Sequence, residues 1–197
     1  MTWVKVCGLT SADAVTAAVV AGADAVGFVF SPASPRHRSL GQIARLAADV
    51  PVVRVLLTVG LGREDVMAAV AATGVDGIQP YGPDRDDVAA AALAAGLMVL
   101  RPVAAGPGMV LPEGGVPLVD TPDRERPGGT GRVFDWGLVA GLEADFILAG
   151  GLGPANVSAA VTTVRPWGVD ASSGLERAPG VKDVGKVTAF VEEAKRA

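Results

Sequence analysis

The chain has 197 residues, half of them hydrophobic and only 19% charged, with a formal net charge of -4. That is enough apolar material for one large domain with a sizeable core. It lacks the clustered Lys and Arg that a nucleic-acid backbone demands. One cysteine excludes an intramolecular disulfide and a cysteine-based structural zinc site, and one histidine leaves few ligands for a transition metal.

The chain opens on the apolar run Trp3-Val4-Lys5-Val6, which stops at Cys7 and turns through Gly8. This predicts a strand over 3–7 that presents a thiol at the rim of a sheet. Thr10-Ser11-Ala12-Asp13 reads as a capping box opening the first helix. A phrase then recurs: Ala21-Gly22-Ala23-Asp24-Ala25-Val26-Gly27-Phe28 is echoed by Thr73-Gly74-Val75-Asp76-Gly77-Ile78-Gln79. In each, a helical Ala/Val segment precedes a glycine suited to a helix C-cap. A short non-alternating apolar run follows, the pattern of a strand buried on both faces. Further strands are predicted over 25–30, 52–57, 76–79, 97–101, 116–120, 145–149 and 167–170, and further helices over 63–72, 84–95, 154–164 and 183–195. Pro154 suits the first turn of its helix. The Gly- and Pro-rich stretch 102–115 predicts an irregular fifth connection. Eight strands alternating with helices predict an α/β protein, a compact single-domain (β/α)8 TIM barrel spanning 1–197. The rival, a doubly wound open sheet, finds no Gly-x-Gly-x-x-Gly after the first strand and no phosphate loop. No charged leader precedes an apolar signal core and no apolar run reaches transmembrane length. The expectation is therefore a cytoplasmic protein with neither membrane nor nucleic-acid partners.

In a barrel, chemistry sits at the C-terminal strand ends and in the loops that follow. Those positions hold Cys7, Ser31 to Arg36, Gln79 with Tyr81, Arg101, Asp120, Gly150-Gly151 and Asp170. A lone cysteine is most often a small buried hydrophobe, and an aspartate after a strand is most often a turn residue. Set together at one rim, Cys7 and Asp120 suit an acid–base pair. Gly150-Gly151-Leu152-Gly153 precedes a helix, and Asp170 is followed by Ala171-Ser172-Ser173-Gly174. Small turns after strands 7 and 8 are the recurrent phosphate site of the fold. Arg36, on a loop stiffened by Pro32 and Pro35, suits bidentate capture of a carboxylate. Gly128-Gly129-Thr130-Gly131-Arg132 reads as a flexible lid or a phosphate contact.

Six phrases, in order along nearly the whole chain, resemble phosphoribosylanthranilate isomerase of tryptophan biosynthesis. They are Lys5-Val6-Cys7-Gly8-Leu9-Thr10, Gly22 to Phe30, Leu118-Val119-Asp120-Thr121, Gly128 to Trp136, Ala149-Gly150-Gly151-Leu152, and Val169 to Glu176. The resemblance implies an Amadori rearrangement of a phosphorylated sugar–anthranilate. It makes Cys7 the general base at C2 and Asp120 the general acid that assists ring opening. It gives Arg36, Gln79 and Asp170 to substrate binding, and Gly150, Gly151, Ser172, Ser173 and Gly174 to the phosphate. It implies no cofactor, no metal, and a monomer or homodimer. A thiolate base calls for a lowered pKa, and Lys5, on the same strand face as Cys7, is the candidate cation. The chain departs from the family's usual pattern at Tyr81, where a histidine is common, at Val55-Leu56-Leu57-Thr58, and at Arg101-Pro102-Val103. Two other readings are a sugar-phosphate isomerase that also accepts the related aminoaldose of histidine biosynthesis, and a phosphate-binding barrel without activity.

Overall fold

The computed structural model describes residues 1–121 and 135–197. Eight parallel strands close into a barrel in chain order: β1 (Trp3–Val6), β2 (Ala25–Phe30), β3 (Val53–Val59), β4 (Gly77–Tyr81), β5 (Met98–Ala104), β6 (Val116–Asp120), β7 (Ile147–Leu148) and β8 (Gly168–Ala171). β1 meets β8 with Lys5 opposite Asp170, which completes the ring. Six α-helices lie among the described residues: α1 (Ala12–Val20), α2 (Leu40–Ala47), α3 (Arg63–Thr73), α4 (Arg85–Ala94), α5 (Val157–Val164) and α6 (Val184–Arg196). A small antiparallel hairpin, β9 (Glu176–Ala178) and β10 (Val181–Lys182), stands between β8 and α6. None of these helices is long and apolar enough to cross a membrane.

Side-chain alternation along the strands divides the core into two zones. Val4, Val6, Val26, Phe28, Leu56, Val119, Leu148 and Val169 point outward and pack beneath the helices in one large cluster. The opposite parity fills the barrel: Val55, Leu100, Leu118, Ile147 and Ala149 form an apolar floor with Trp3, Val53, Met98 and Val116. Above that floor the same parity brings in Lys5, Gln79 and Asp170, all buried. The barrel is thus apolar towards the N-terminal ends of its strands and polar towards the C-terminal ends.

All eight expected strands are present, with shifted ends: β3 runs on to Val59, and β7 shrinks to Ile147–Leu148. The fifth connection carries no helix, as its Gly and Pro content predicts. Gly74 ends α3 at φ 66° and Gly22 follows the end of α1 at φ 94°, both in the left-handed region that glycine enters cheaply. Three local expectations are corrected. Ser11, rather than Thr10, caps α1 by accepting from the Ala14 N–H, a contact worth about 1 kcal/mol; Thr10 Oγ1 instead donates to the Gly180 carbonyl. Pro154 lies ahead of α5, which begins at Val157 behind Asn156. α2 is an additional helix, held at its start by a capping box between Ser39 and Gln42. The expected lid, Gly128 to Arg132, lies outside the described residues.

Candidate active site

Cys7 follows β1 directly, and its N–H donates to the Ala171 carbonyl at 2.9 Å, so β1 and β8 together fix its backbone. Its side chain is buried. Below it on the same face lies Lys5, whose Nζ donates to Asp170 Oδ1 at 3.1 Å and to Gln79 Oε1 at 2.9 Å. Gly27 on β2 makes room for both: a Cβ there would stand 3.0 Å from Cys7 Sγ and 3.2 Å from Lys5 Cε. Burial lowers the Lys5 pKa, but the Asp170 carboxylate and the Cys7 thiolate outweigh it, and the ammonium is net stabilised. Cys7 resolves the other way. Burial pushes the thiol up, and the pull of Lys5 and Lys182 does not overcome it while Asp170 opposes them. The expected cation is in place, yet the expected lowering of the thiol pKa is not found: desolvation wins.

Arg36 reaches over Gly8, where a Cβ would stand 2.6 Å from its Cδ and 2.9 Å from Ser172 Oγ. Its Nε and Nη2 donate to Glu176 Oε1 and Oε2 at 2.6 and 2.9 Å. This bidentate pair fixes the plane of the guanidinium and leaves the Nη1 edge for another acceptor. Glu176 also accepts from Lys182 Nζ at 3.1 Å, and Lys182 donates to the carbonyl and hydroxyl of Ser172 at 2.8 and 3.3 Å. Burial raises the Glu176 carboxyl, but Arg36 and Lys182 together hold it below its ordinary value. Burial lowers Lys182 despite its anionic neighbours.

Asp120 ends β6, and its Oδ1 accepts from the Thr121 N–H at 2.7 Å. A Cβ on Gly150 would stand 2.9 Å from that same oxygen, so the turn after β7 touches the aspartate. The turns after β7 and β8 also meet each other. A Cβ on Gly174 would collide with the Leu152 carbonyl, so only glycine allows this approach. Asn156 ties the first turn down, accepting from the Gly153 N–H and donating to the Gly151 carbonyl. Helix α5 starts just beyond this turn, at Val157, and a glycine turn leading into a helix N-terminus is the kind of backbone that attracts phosphate.

The family model described as N-(5'phosphoribosyl)anthranilate (PRA) isomerase matches residues 4–193. The chain belongs to that family. It is 42% identical over 209 residues to the N-(5'-phosphoribosyl)anthranilate isomerase of Azorhizobium caulinodans, across 98% of this chain and 92% of that one. It is 40% identical to TrpF from Jonesia denitrificans, whose crystal structure agrees with a TM-score of 0.84 over 99% of this chain and 97% of that one. The phosphoribosyl anthranilate isomerase of Thermotoga maritima agrees at 0.87 with 32% identity over the full length of both chains. A phosphoribosyl anthranilate isomerase solved in complex with reduced 1-(o-carboxyphenylamino)-1-deoxyribulose 5-phosphate agrees at 0.82 with 31% identity, again over both full chains.

Within this isomerase-family barrel, Cys7, Asp170, Gln79 and Tyr81 lie in one electrostatic neighbourhood with Asp120. The charges of Asp120, Cys7 and Asp170 all act on the Tyr81 phenol. Arg101 does not belong to this group. It stands mid-way along β5 with the outward parity and pairs with Asp86 at 2.6 Å on the flank of α4. The expectation of Arg101 at the mouth fails because β5 runs three residues further than its apolar stretch indicates. Sequence reasoning also passed over Lys182 and assigned no role to Glu176 or Asn156. Glu176 and Lys182 lie on the hairpin beyond β8, and only the fold brings Glu176 to Arg36, 140 positions earlier. The Asn156 contacts are local, and the available signal was an Asn immediately ahead of an apolar helical run.

Proposed function

We propose that this barrel converts N-(5'-phosphoribosyl)anthranilate to 1-(2-carboxyphenylamino)-1-deoxyribulose 5-phosphate in tryptophan biosynthesis, with Asp120 as acid and Cys7 as base. The observation that carries the activity is the family relationship over residues 4–193. The division of labour follows the family resemblance, and the charges of Cys7 and Asp120 acting on the same Tyr81 phenol support a shared mouth for the two. Asp120 in its acid form gives its proton to the ring oxygen as the C1–O bond breaks, and the anthranilate nitrogen supplies the electron pair that forms C=N. The Cys7 thiolate takes the proton from C2, and the C–H pair becomes C1=C2 of an enolamine. C1 then gains a proton and the C2 hydroxyl loses one, which yields the ketone. Hydrogen moves within the substrate, so the chemistry consumes no external oxidant or reductant. Arg36 offers its Nη1 edge to the anthranilate carboxylate, and Gln79 and Asp170 line the sugar. The turns bearing Gly150, Gly151, Ser172, Ser173 and Gly174 hold the phosphate.

All of these residues come from one chain, so a monomer suffices and a homodimer would add none of them. On this reading the enzyme is cytoplasmic, since a phosphorylated substrate anion does not cross a membrane unaided. The test is the fluorescence assay of anthranilate-substrate consumption by purified protein. Cys7→Ala and Asp120→Asn are each expected to lower kcat by at least ~10²–10⁴-fold. Wild-type protein without turnover would end the isomerase reading. Full activity in either variant would sink the acid–base assignment.

A further inference from the structure

Lys5, Gln79 and Tyr81 form a chain of hydrogen bonds whose direction is forced. Lys5 Nζ has donors only, so Gln79 must turn its carbonyl oxygen towards it, at 2.9 Å. Lys5 in turn is held by Asp170 on the neighbouring strand. With its oxygen committed, Gln79 presents the amide nitrogen on the other side, where it donates to the Tyr81 hydroxyl oxygen at 3.0 Å. Gln79 is 2% exposed and its bond with Lys5 is buried, while its bond with Tyr81 lies nearer the mouth, where the phenol is half-buried. Tyr81 is therefore an acceptor in this chain, and its own O–H is directed elsewhere. It closes β4 two residues after Gln79, on the same inward face, at the polar end of the barrel. Burial, and then the carboxylate of Asp120, hold the phenol well above its ordinary range, so the proton stays on Tyr81 at neutral pH.

Building on the isomerase reading above, we propose that Tyr81 is a neutral hydrogen-bond donor to a sugar oxygen of the bound substrate, beside the carbon that faces Cys7 and the ring oxygen that faces Asp120. No proton is transferred. The phenol supplies a fixed dipole, oriented from behind by the Asp170–Lys5–Gln79 relay. A charged donor in this place would add a second cation near the one that Asp170 already compensates. The phenol adds none.

Tyr81 is the chain's only tyrosine, so 3-fluorotyrosine incorporation gives a single fluorine resonance at the proposed donor while leaving every hydrogen-bonding group in place. Titration with reduced 1-(o-carboxyphenylamino)-1-deoxyribulose 5-phosphate is expected to shift that resonance, and inorganic phosphate alone is expected to leave it unmoved. Tyr81→Phe is expected to lower kcat/KM and to weaken binding of the same analogue, each by roughly tenfold, the scale of one lost neutral hydrogen bond. A melting curve of the variant separates this from misfolding. A resonance unmoved by saturating analogue, or a folded Tyr81→Phe within twofold of wild type on both measures, overturns the proposal while wild-type turnover upholds the isomerase reading. No turnover and no analogue binding by wild type overturns both.

Discussion

Cys7 feels the charges of two lysines, and the balance at this one thiol decides how the enzyme responds to pH. Lys5 and Lys182 both favour the thiolate, but burial favours the thiol more strongly, and the net shift is upward. The resting group is therefore protonated at neutral pH. The active fraction grows as pH rises through a value above the ordinary thiol range of about 8.5. Activity in kcat/KM should accordingly climb on the alkaline side until Cys7 is ionised. Removing a cation that stabilises the thiolate moves that rise to still higher pH. Lys182→Gln, which keeps a donor beside Ser172, is expected to lower kcat/KM at pH 7 and to close on wild type as pH rises, since burial lowers the Lys182 pKa and the wild type also loses that cation on the alkaline side. A profile measured from pH 6 to 10 checks this, because a purely structural defect would depress the rate equally across the range. Cys7 itself was legible in the sequence, since a strand stopping on a thiol before glycine is a local signal. The sign of its shift was not, because desolvation depends on what the fold packs around the sulfur.

The hairpin of β9 and β10 is the element that brings Glu176 and Lys182 to the mouth. It contributes nothing to barrel closure, and neither strand has the apolar run that marks the other eight. Those eight were legible from glycine-punctuated repeats and buried runs, which are local features. α2 was missed because it follows the proline-rich loop and its first turn carries Gly41 and Gln42 rather than an Ala/Val run. The hairpin was missed because its significance lies in contacts made across the whole chain. Its functional weight is testable through Glu176, which aligns the Arg36 guanidinium with two oxygens. Glu176→Gln keeps the volume but replaces one acceptor oxygen by a donor nitrogen, so Arg36 loses its fixed plane. KM for the anthranilate substrate is expected to rise about tenfold, the effect of one charge-assisted bond lost, with kcat changed by less than threefold. A fall in kcat at constant KM would show that Arg36 does not grip the ground-state carboxylate.

At the scale of the whole barrel, the apolar floor supplies stability and the polar upper layer supplies chemistry, and acid exposes the seam between them. Glu176 has its pKa lowered in the folded barrel, with Arg36 and Lys182 overcoming the cost of burial. Asp76 is lowered as well, chiefly by its hydrogen bond with Arg54, which bridges β3 to the approach of β4. A carboxyl that holds its proton less tightly when folded stabilises the fold at every pH above its unfolded value, about 4 for these groups. That contribution is lost as pH falls through the lowered folded value. On the basic side Lys5 has the opposite sign: its pKa is raised, and its contribution persists until pH climbs past the ordinary lysine range. The thermal midpoint should therefore hold steady from pH 8 to about 5 and drop steeply below about pH 4. Glu176→Gln should start lower at pH 7, because Arg36 and Lys182 then face no buried anion. Its decline on acidification should be shallower, because one of the titrating groups is gone. Melting curves of the two proteins at pH 7, 5, 4 and 3 decide the matter. Convergence at low pH assigns acid sensitivity to the mouth, and parallel curves would place it elsewhere in the barrel.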